Sequence, residues 1–226
     1  MLRPAAEAIL THHGWLATAP HDLQTAILSA CQLRHIKAGS SLFTLDQDPA
    51  GVVGLASGRV HMHLASGPDD PTLFAVVTPG YWFADLEAPP TMPRLVSAIA
   101  KQPCVILRLG GSAIRTLAHQ DQRVAAAFTS LVTTNFATTL ALLAVVRRLD
   151  IAERVAAMLC ALAGADLADG AVVHTSQTEL ASMCGVGRTA TAAALATLET
   201  EGLVTPGYAQ IQITNAAALL AYCHLA

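Results

Sequence analysis

Arg188 stands directly after Gly185-Val186-Gly187 and heads a run of alanine and threonine that continues to Thr200. A guanidinium at the start of a helix can meet O6 and N7 of guanine with two parallel N–H donors, the commonest specific contact in a DNA major groove. Thr189, Thr191 and Ala192 follow on the same helix start and are read as facing outward beside it. Gln177 and Thr178 open the preceding helix and could add backbone or base contacts. These residues are the candidate DNA-reading set. Residues 151–226 hold two basic residues, Arg154 and Arg188, against six acidic ones, a balance of −4. Phosphate neutralisation supplies most non-specific affinity, so the balance is read as weak, strongly salt-sensitive binding.

Other chemistries find less material. His61 and His63 are two apart in a strand-like stretch and therefore share a face, which reads as a pair of solvated surface histidines. The five cysteines (Cys31, Cys104, Cys160, Cys184, Cys223) are odd in number, lack CxxC spacing and sit in apolar runs. They read as reduced core thiols of a cytoplasmic protein, not as a disulfide frame or a metal site. Histidines, serines and carboxylates form no recognisable triad, metal motif or phosphate-binding loop, so the expectation is a protein that is not an enzyme.

The elements that position Arg188 are legible around it. Ser176 is a good N-cap and Glu179 completes a capping box, so a helix starts there. Leu180, Ala181 and Cys184 supply its inner stripe, and the two glycines break it, with Val186 between them as a plug. In the second helix Ala190, Ala194, Leu195 and Leu198 recur at helical spacing. Glu201-Gly202 ends it, Leu203-Val204 enters a strand, Pro206-Gly207-Tyr208 turns, and Gln210 to Ile213 alternates as a second strand. Helix, turn, helix and hairpin in this order make a winged helix-turn-helix.

Upstream, residues 5–17 and 20–31 read as helices, and from Leu33 to Leu109 short apolar strands are parted by a turn signal every ten residues or so. That rhythm predicts a β-roll or jelly roll. With 53% hydrophobic residues in 226, there is core material for two modest domains. The N-terminus lacks the charged and apolar pattern of a secretory signal, and no membrane span is expected. Between the roll and the DNA-reading part, Val124, Phe128, Leu131, Asn135, Thr138, Leu142, Val145 and Leu149 step by four and three along one helix. Such a heptad seam predicts pairing with the same helix of a second subunit, with Asn135 setting register. Leu140, Leu143 and Val146 would then pack on the roll. The expected organisation is α+β: a sensor roll over 1–120, a dimerisation helix over 121–149 and the winged helix-turn-helix over 150–226.

In this order the parts resemble the CRP/FNR family of bacterial transcription regulators over nearly the whole chain. The stretches that carry the resemblance are Pro79 to Leu86 in the roll, Leu149-Asp150 with Arg154 at a hinge, and Ser176 to Val204. The resemblance implies a double-stranded β-helix of the cyclic-nucleotide-binding type and a homodimer whose DNA domains rotate about the hinge when an effector binds the roll. Double-stranded DNA, a small-molecule effector and RNA polymerase are the partners it implies, in the cytoplasm. It also implies that Asp85, Leu86, Arg94, Leu95 and Thr139 occupy the effector site.

Departures from the family pattern limit the carry-over. In cyclic-nucleotide members a glutamate, an arginine and a serine or threonine surround the cyclic phosphate; Asp85, Arg94 and Leu95 stand there. Leu95 has no hydroxyl to donate, and one hydrogen bond lost to a charged group costs about 1.5 to 3 kcal/mol. Pro89, Pro90 and Pro93 remove three amide donors nearby. These features argue against a cyclic nucleotide, and Thr139 is the residue that speaks for one. Haem would need an axial ligand, for which His61 and His63 are the suggestive pair, and iron–sulfur chemistry would need clustered cysteines that the sequence lacks. The effector is left open. The family's glutamate after its first base-reading arginine is Thr189 here and its later arginine is Ala193, so its operator code does not transfer. The alternative is a degenerate ligand-binding or protein-interaction module with weak or no DNA binding.

Overall fold

The computed structural model describes residues 1–12, 14–42, 51–65, 71–85 and 96–223. They form two compact units, Met1–Phe136 and Ala137–Ala226.

The first unit opens with α1 (Arg3–His12), a 3₁₀ turn (Trp15–Thr18) and α2 (His21–Ala30). Among the described residues seven strands follow: β1 (Gln32–Ile36), β2 (Gly51–Ser57), β3 (Val60–Ala65), β4 (Pro71–Val77), β5 (Trp82–Asp85), β6 (Val96–Ala100) and β7 (Cys104–Gly110). Then come α3 (Gly111–Gln120) and the 25-residue α4 (Gln122–Val146), which continues into the second unit. Two antiparallel sheets, ordered β1-β7-β2-β5 and β4-β3-β6, make the roll.

Burial explains why residues 51–56 of β2 and 104–107 of β7 read as apolar runs rather than as alternating ones. Val53, Leu55, Cys104 and Ile106 enter a core with Val60, Val77, Phe83, Ala98 and Ala100 of the other strands. Val52, Ala56, Leu107 and Leu109, which alternate with them, face a second core built by the helices. A strand covered on both faces reads as a near-continuous apolar run, and the half-buried Arg108 interrupts that of β7. Gly54 lies where a Cβ would come within 2.8 Å of Leu10 and Trp82 side-chain atoms, so the absence of a side chain lets α1 close on the sheet. The Trp82 indole N–H donates to the Leu10 carbonyl at 3.1 Å, and Trp15 packs edge-on to Trp82 and tilted on Phe128.

The inner stripe of α4 belongs to this helix-side core. Val124, Phe128 and Leu131 are 1%, 5% and 1% exposed and pack with Leu10, Trp15 and Leu107. Asn135, one step further along the same stripe, accepts from the Tyr81 hydroxyl at 3.0 Å and donates to the Trp82 carbonyl at 3.3 Å. These four residues therefore hold α4 to its own roll, and the expectation that they form an intersubunit seam is corrected. Val145 is buried and Leu142 half-buried within the second unit, so neither presents a free seam position. The outward apolar residues are instead Val132, Phe136, Leu140 and Leu143, at 40%, 62%, 49% and 52% exposure. Leu140 and Leu143, expected against the roll, are thus solvent-facing. The 3.6-residue helix carries two apolar stripes, and the four-three spacing alone does not say which one turns inward. By length and composition α4 could also cross a bilayer, with a window of mean hydropathy 1.6; its N-terminal half is committed to the roll core.

At the start of α4, Arg123 reaches Asp121 and Asp22 at 2.6 Å each, tying α4 to α2. Its hydrogen bonds hold both carboxyls below the usual carboxylate range.

The second unit holds the end of α4, then α5 (Ile151–Ala163), β8 (Val172–Val173), α6 (Gln177–Cys184), α7 (Arg188–Thr200), β9 (Val204–Gly207), β10 (Gln210–Ile213) and α8 (Ala216–Tyr222). Asp150 caps α5 by accepting from the Glu153 amide at 2.8 Å, and Asn215 caps α8 by accepting from the Ala218 amide at 2.9 Å. α5 packs against α6, α7 and α8. Strand β8 completes a three-stranded sheet ordered β8-β10-β9. Sequence reading missed β8 and α8: two residues are too few for a strand pattern, whereas Asn215 before an apolar run was a usable cap signal.

Candidate nucleic-acid interface

The helix pair forms as its capping chemistry requires. The Ser176 hydroxyl accepts from the Glu179 amide at 3.2 Å, and the Glu179 carboxylate accepts from the Ser176 amide at 2.7 Å. Gly185 adopts φ 64°, the left-handed conformation that ends α6. Val186, expected as a core plug, is half-buried, with its amide donating to the Ala181 carbonyl at 3.0 Å.

On α7 the buried stripe is Thr191, Ala194, Leu195 and Leu198. Thr191 is 0% exposed and its hydroxyl donates to the Gly187 carbonyl at 3.2 Å. It is therefore a packing residue, and its assignment as a DNA contact is corrected. A threonine that bonds back to the carbonyl four residues earlier satisfies its only polar group and fills a core position of valine size. Arg188, Thr189 and Ala192 are exposed on α7, and Gln177 and Thr178 are exposed on the first turn of α6.

Arg154 has a different task. Its guanidinium donates to the Arg148 carbonyl, through Nε at 2.9 Å and also through a second nitrogen, and to the Cys184 carbonyl at 3.2 Å. It joins the C-terminal ends of α4 and α6 inside the second unit. That leaves Arg188 as the one exposed arginine or lysine among the described residues from 151 to 223. The expectation of strong salt sensitivity is corrected with it, since the slope of affinity against salt scales with the number of phosphates that cations neutralise. An interface with few cations binds with a shallow slope.

The wing is β9 and β10 joined by Tyr208 and Ala209, not by Pro206-Gly207-Tyr208; Pro206 and Gly207 pair with Ile211 and Gln210. Ala209 takes φ 52°, and Tyr208 at the tip is fully exposed.

In the roll, Asp85 ends β5 with its backbone paired to Gly51. Leu86, Arg94 and Leu95, with Pro89, Pro90 and Pro93, lie outside the described residues. Thr139 is exposed on α4. His61 is 8% exposed and its ring centroid is 5.9 Å from that of His63, which is half-buried with Nδ1 secluded. The reading of this pair as solvated is corrected. Burial, then the neighbouring His61 and Lys101, lower the His63 pKa. Among the described residues no group of three or more histidine, cysteine, aspartate or glutamate side chains is placed to hold a metal. All five cysteines are buried and unpaired, and burial pushes the Cys31, Cys160 and Cys184 thiols up to about 12.

Comparison with known proteins agrees with this geometry. The cyclic nucleotide-binding domain model matches residues 33–121, and the Crp-like helix-turn-helix domain model matches residues 153–222. The chain belongs to the CRP/FNR family of transcription regulators. Among solved structures, FixK2 from Bradyrhizobium japonicum superposes with a TM-score of 0.73 at 19% identity, over 85% of this chain and 96% of that one. A CooA mutant from Carboxydothermus hydrogenoformans gives 0.70 at 16% identity over 95% and 97%. CprK complexed with OCPA gives 0.65 at 16% identity over 92% and 94%. No curated protein matches by sequence. As a CRP/FNR-type regulator the chain joins a cyclic-nucleotide-binding-like roll to a DNA-binding helix-turn-helix, and a degenerate module without DNA binding is not favoured.

Proposed function

We propose that this CRP/FNR-type regulator acts in the cytoplasm as a homodimer that reads DNA with Arg188 and is gated by a small molecule in the roll. The observation that carries the reading is the position of Arg188, exposed on the first turn of α7 behind a left-handed glycine and a capped α6. A guanidinium there can enter a major groove and pair with O6 and N7 of guanine. Thr189 and Ala192 are exposed with it on the start of α7, and Gln177 and Thr178 are exposed on the first turn of α6. Dimerisation is supported by the outward stripe Val132, Phe136, Leu140 and Leu143, an apolar face on a helix whose other stripe is already packed. The face suits the same face of a second copy, because self-pairing of one helix gives a closed two-fold contact. Gating by a small molecule rests on the match of residues 33–121 to a cyclic nucleotide-binding domain, and RNA polymerase is a further partner proposed from the family resemblance alone.

The test is titration of the full-length chain against duplexes from upstream of its own operon at low and moderate salt. Sequence preference that Arg188→Ala weakens at a guanine supports the reading. Binding without preference at either salt, unchanged in Arg188→Ala, rejects it.

A further inference from the structure

The sequence class of the DNA can be argued one step further, on the reading that α7 enters the major groove. Around α7, burial of Thr191, Ala194, Leu195 and Leu198 fixes the opposite side as the outer face. Its first turns carry Arg188, Thr189, Ala192, Ala193 and Ala196, all exposed. Beyond Arg188, this surface holds three methyl groups of alanine and a threonine that offers one methyl and one hydroxyl. The next exposed charge along it is Glu199, which repels phosphate and cannot help a cation-poor interface.

Alanine cannot satisfy a base donor or acceptor. Set against a G·C or C·G edge, it would strip water from N7, O6 or the cytosine amino group and return no hydrogen bond, at a cost of about 1 to 3 kcal/mol. Thymine alone among the four bases presents a methyl group in the major groove. A surface of methyls therefore gains only where the floor of the groove is also methyl. We infer that each half-site read by α7 carries one guanine, taken by Arg188, flanked by thymines whose C5 methyls pack on Ala192, Ala193, Ala196 and the Thr189 methyl.

The experiment alters the DNA and leaves the protein intact. Full-length chain selects sites from random-sequence duplexes at low salt; thymines of the enriched site are then replaced singly by uracil, which removes the methyl and keeps the pairing edge. The expected result is a guanine with adjacent thymines in each half-site. Affinity should fall about fourfold for each contacted methyl, the value of one buried CH₂ group. Arg188→Ala should lose the guanine and keep the thymine penalty. Enriched half-sites without thymine beside the guanine, or uracil sites that bind within twofold of the parent, overturn the inference while leaving DNA binding intact. Failure of any sequence to enrich with the unaltered chain rejects DNA reading itself, and this inference with it.

Discussion

The Tyr81 hydroxyl donates to Oδ1 of Asn135 at 3.0 Å, and Asn135 returns a hydrogen bond to the backbone of the next residue, Trp82. A polar residue in the middle of an apolar helix is thereby satisfied by Trp82, which opens β5, and by Tyr81 just before it. Tyr81→Phe removes one neutral hydrogen bond and should cost about 1 kcal/mol; Asn135→Ala removes two and should cost about 2 kcal/mol. In a double-mutant cycle followed by denaturant unfolding, the two changes should be less than additive. Full additivity would show that the pair does not act as one contact.

The two stripes of α4 give opposite phenotypes. Phe128→Ala, in the core, should cost about 3 to 5 kcal/mol of stability. Phe136→Glu, on the outer face, should leave monomer stability within about 1 kcal/mol and convert dimers to monomers in sedimentation at micromolar concentration. A dimer that survives Phe136→Glu would place the interface elsewhere.

Salt titration separates the two arginines of residues 151–226. With one exposed arginine or lysine per copy among the described residues 151–223, the slope of log affinity against log salt should lie between about −1 and −2 for a dimer. Arg188→Ala should weaken binding roughly 5- to 150-fold, the range of a lost bidentate base contact. Arg154→Ala should instead lower the unfolding free energy, by about 2 to 3 kcal/mol, because the Arg148 and Cys184 carbonyls lose charged donors.

Acid should loosen the roll through His63. Its folded pKa is lowered from the ordinary 6.5, chiefly by burial. The unfolded chain therefore takes up the proton first, so the contribution is present above about pH 6.5 and is lost as pH falls through the folded value. Thermal unfolding should move to lower temperature between pH 7.5 and 5.5, and His63→Gln should reduce that movement. An unchanged pH profile in the variant would exclude His63 as its source.

Buried, protonated thiols react slowly. A chromogenic disulfide reagent should therefore modify the native chain slowly and release five equivalents on denaturation, matching its five cysteines. Rapid reaction of one or more thiols in the native protein would contradict their burial.

How far the sequence could be read depended on whether the deciding interaction was local. The capping box of Ser176 and Glu179, the glycine stop and the alternation of Gln210 to Ile213 are settled within a few residues, and each stands as read. Thr191 failed because its hydroxyl is satisfied inside its own helix, which turns a polar residue into a core one without any mark in the sequence. The direction of α4 failed because Trp15, contributed from more than a hundred residues upstream, decides which stripe is covered. His61 and His63 were misjudged for the same reason: strand alternation gives a shared face but not what shields it. Of the residues expected to hold an effector, Leu86, Arg94 and Leu95 lie outside the described residues.

The close approach of Leu10 to Gly54 bears on how the protein can be divided. The family model starts at residue 33, yet the apolar plate formed by Val52, Ala56, Leu107 and Leu109 is roofed by helices that precede it. Trimming the gene to the matched region would strip that roof, and the expressed fragment should precipitate. A soluble sensor module has to begin at or before Arg3.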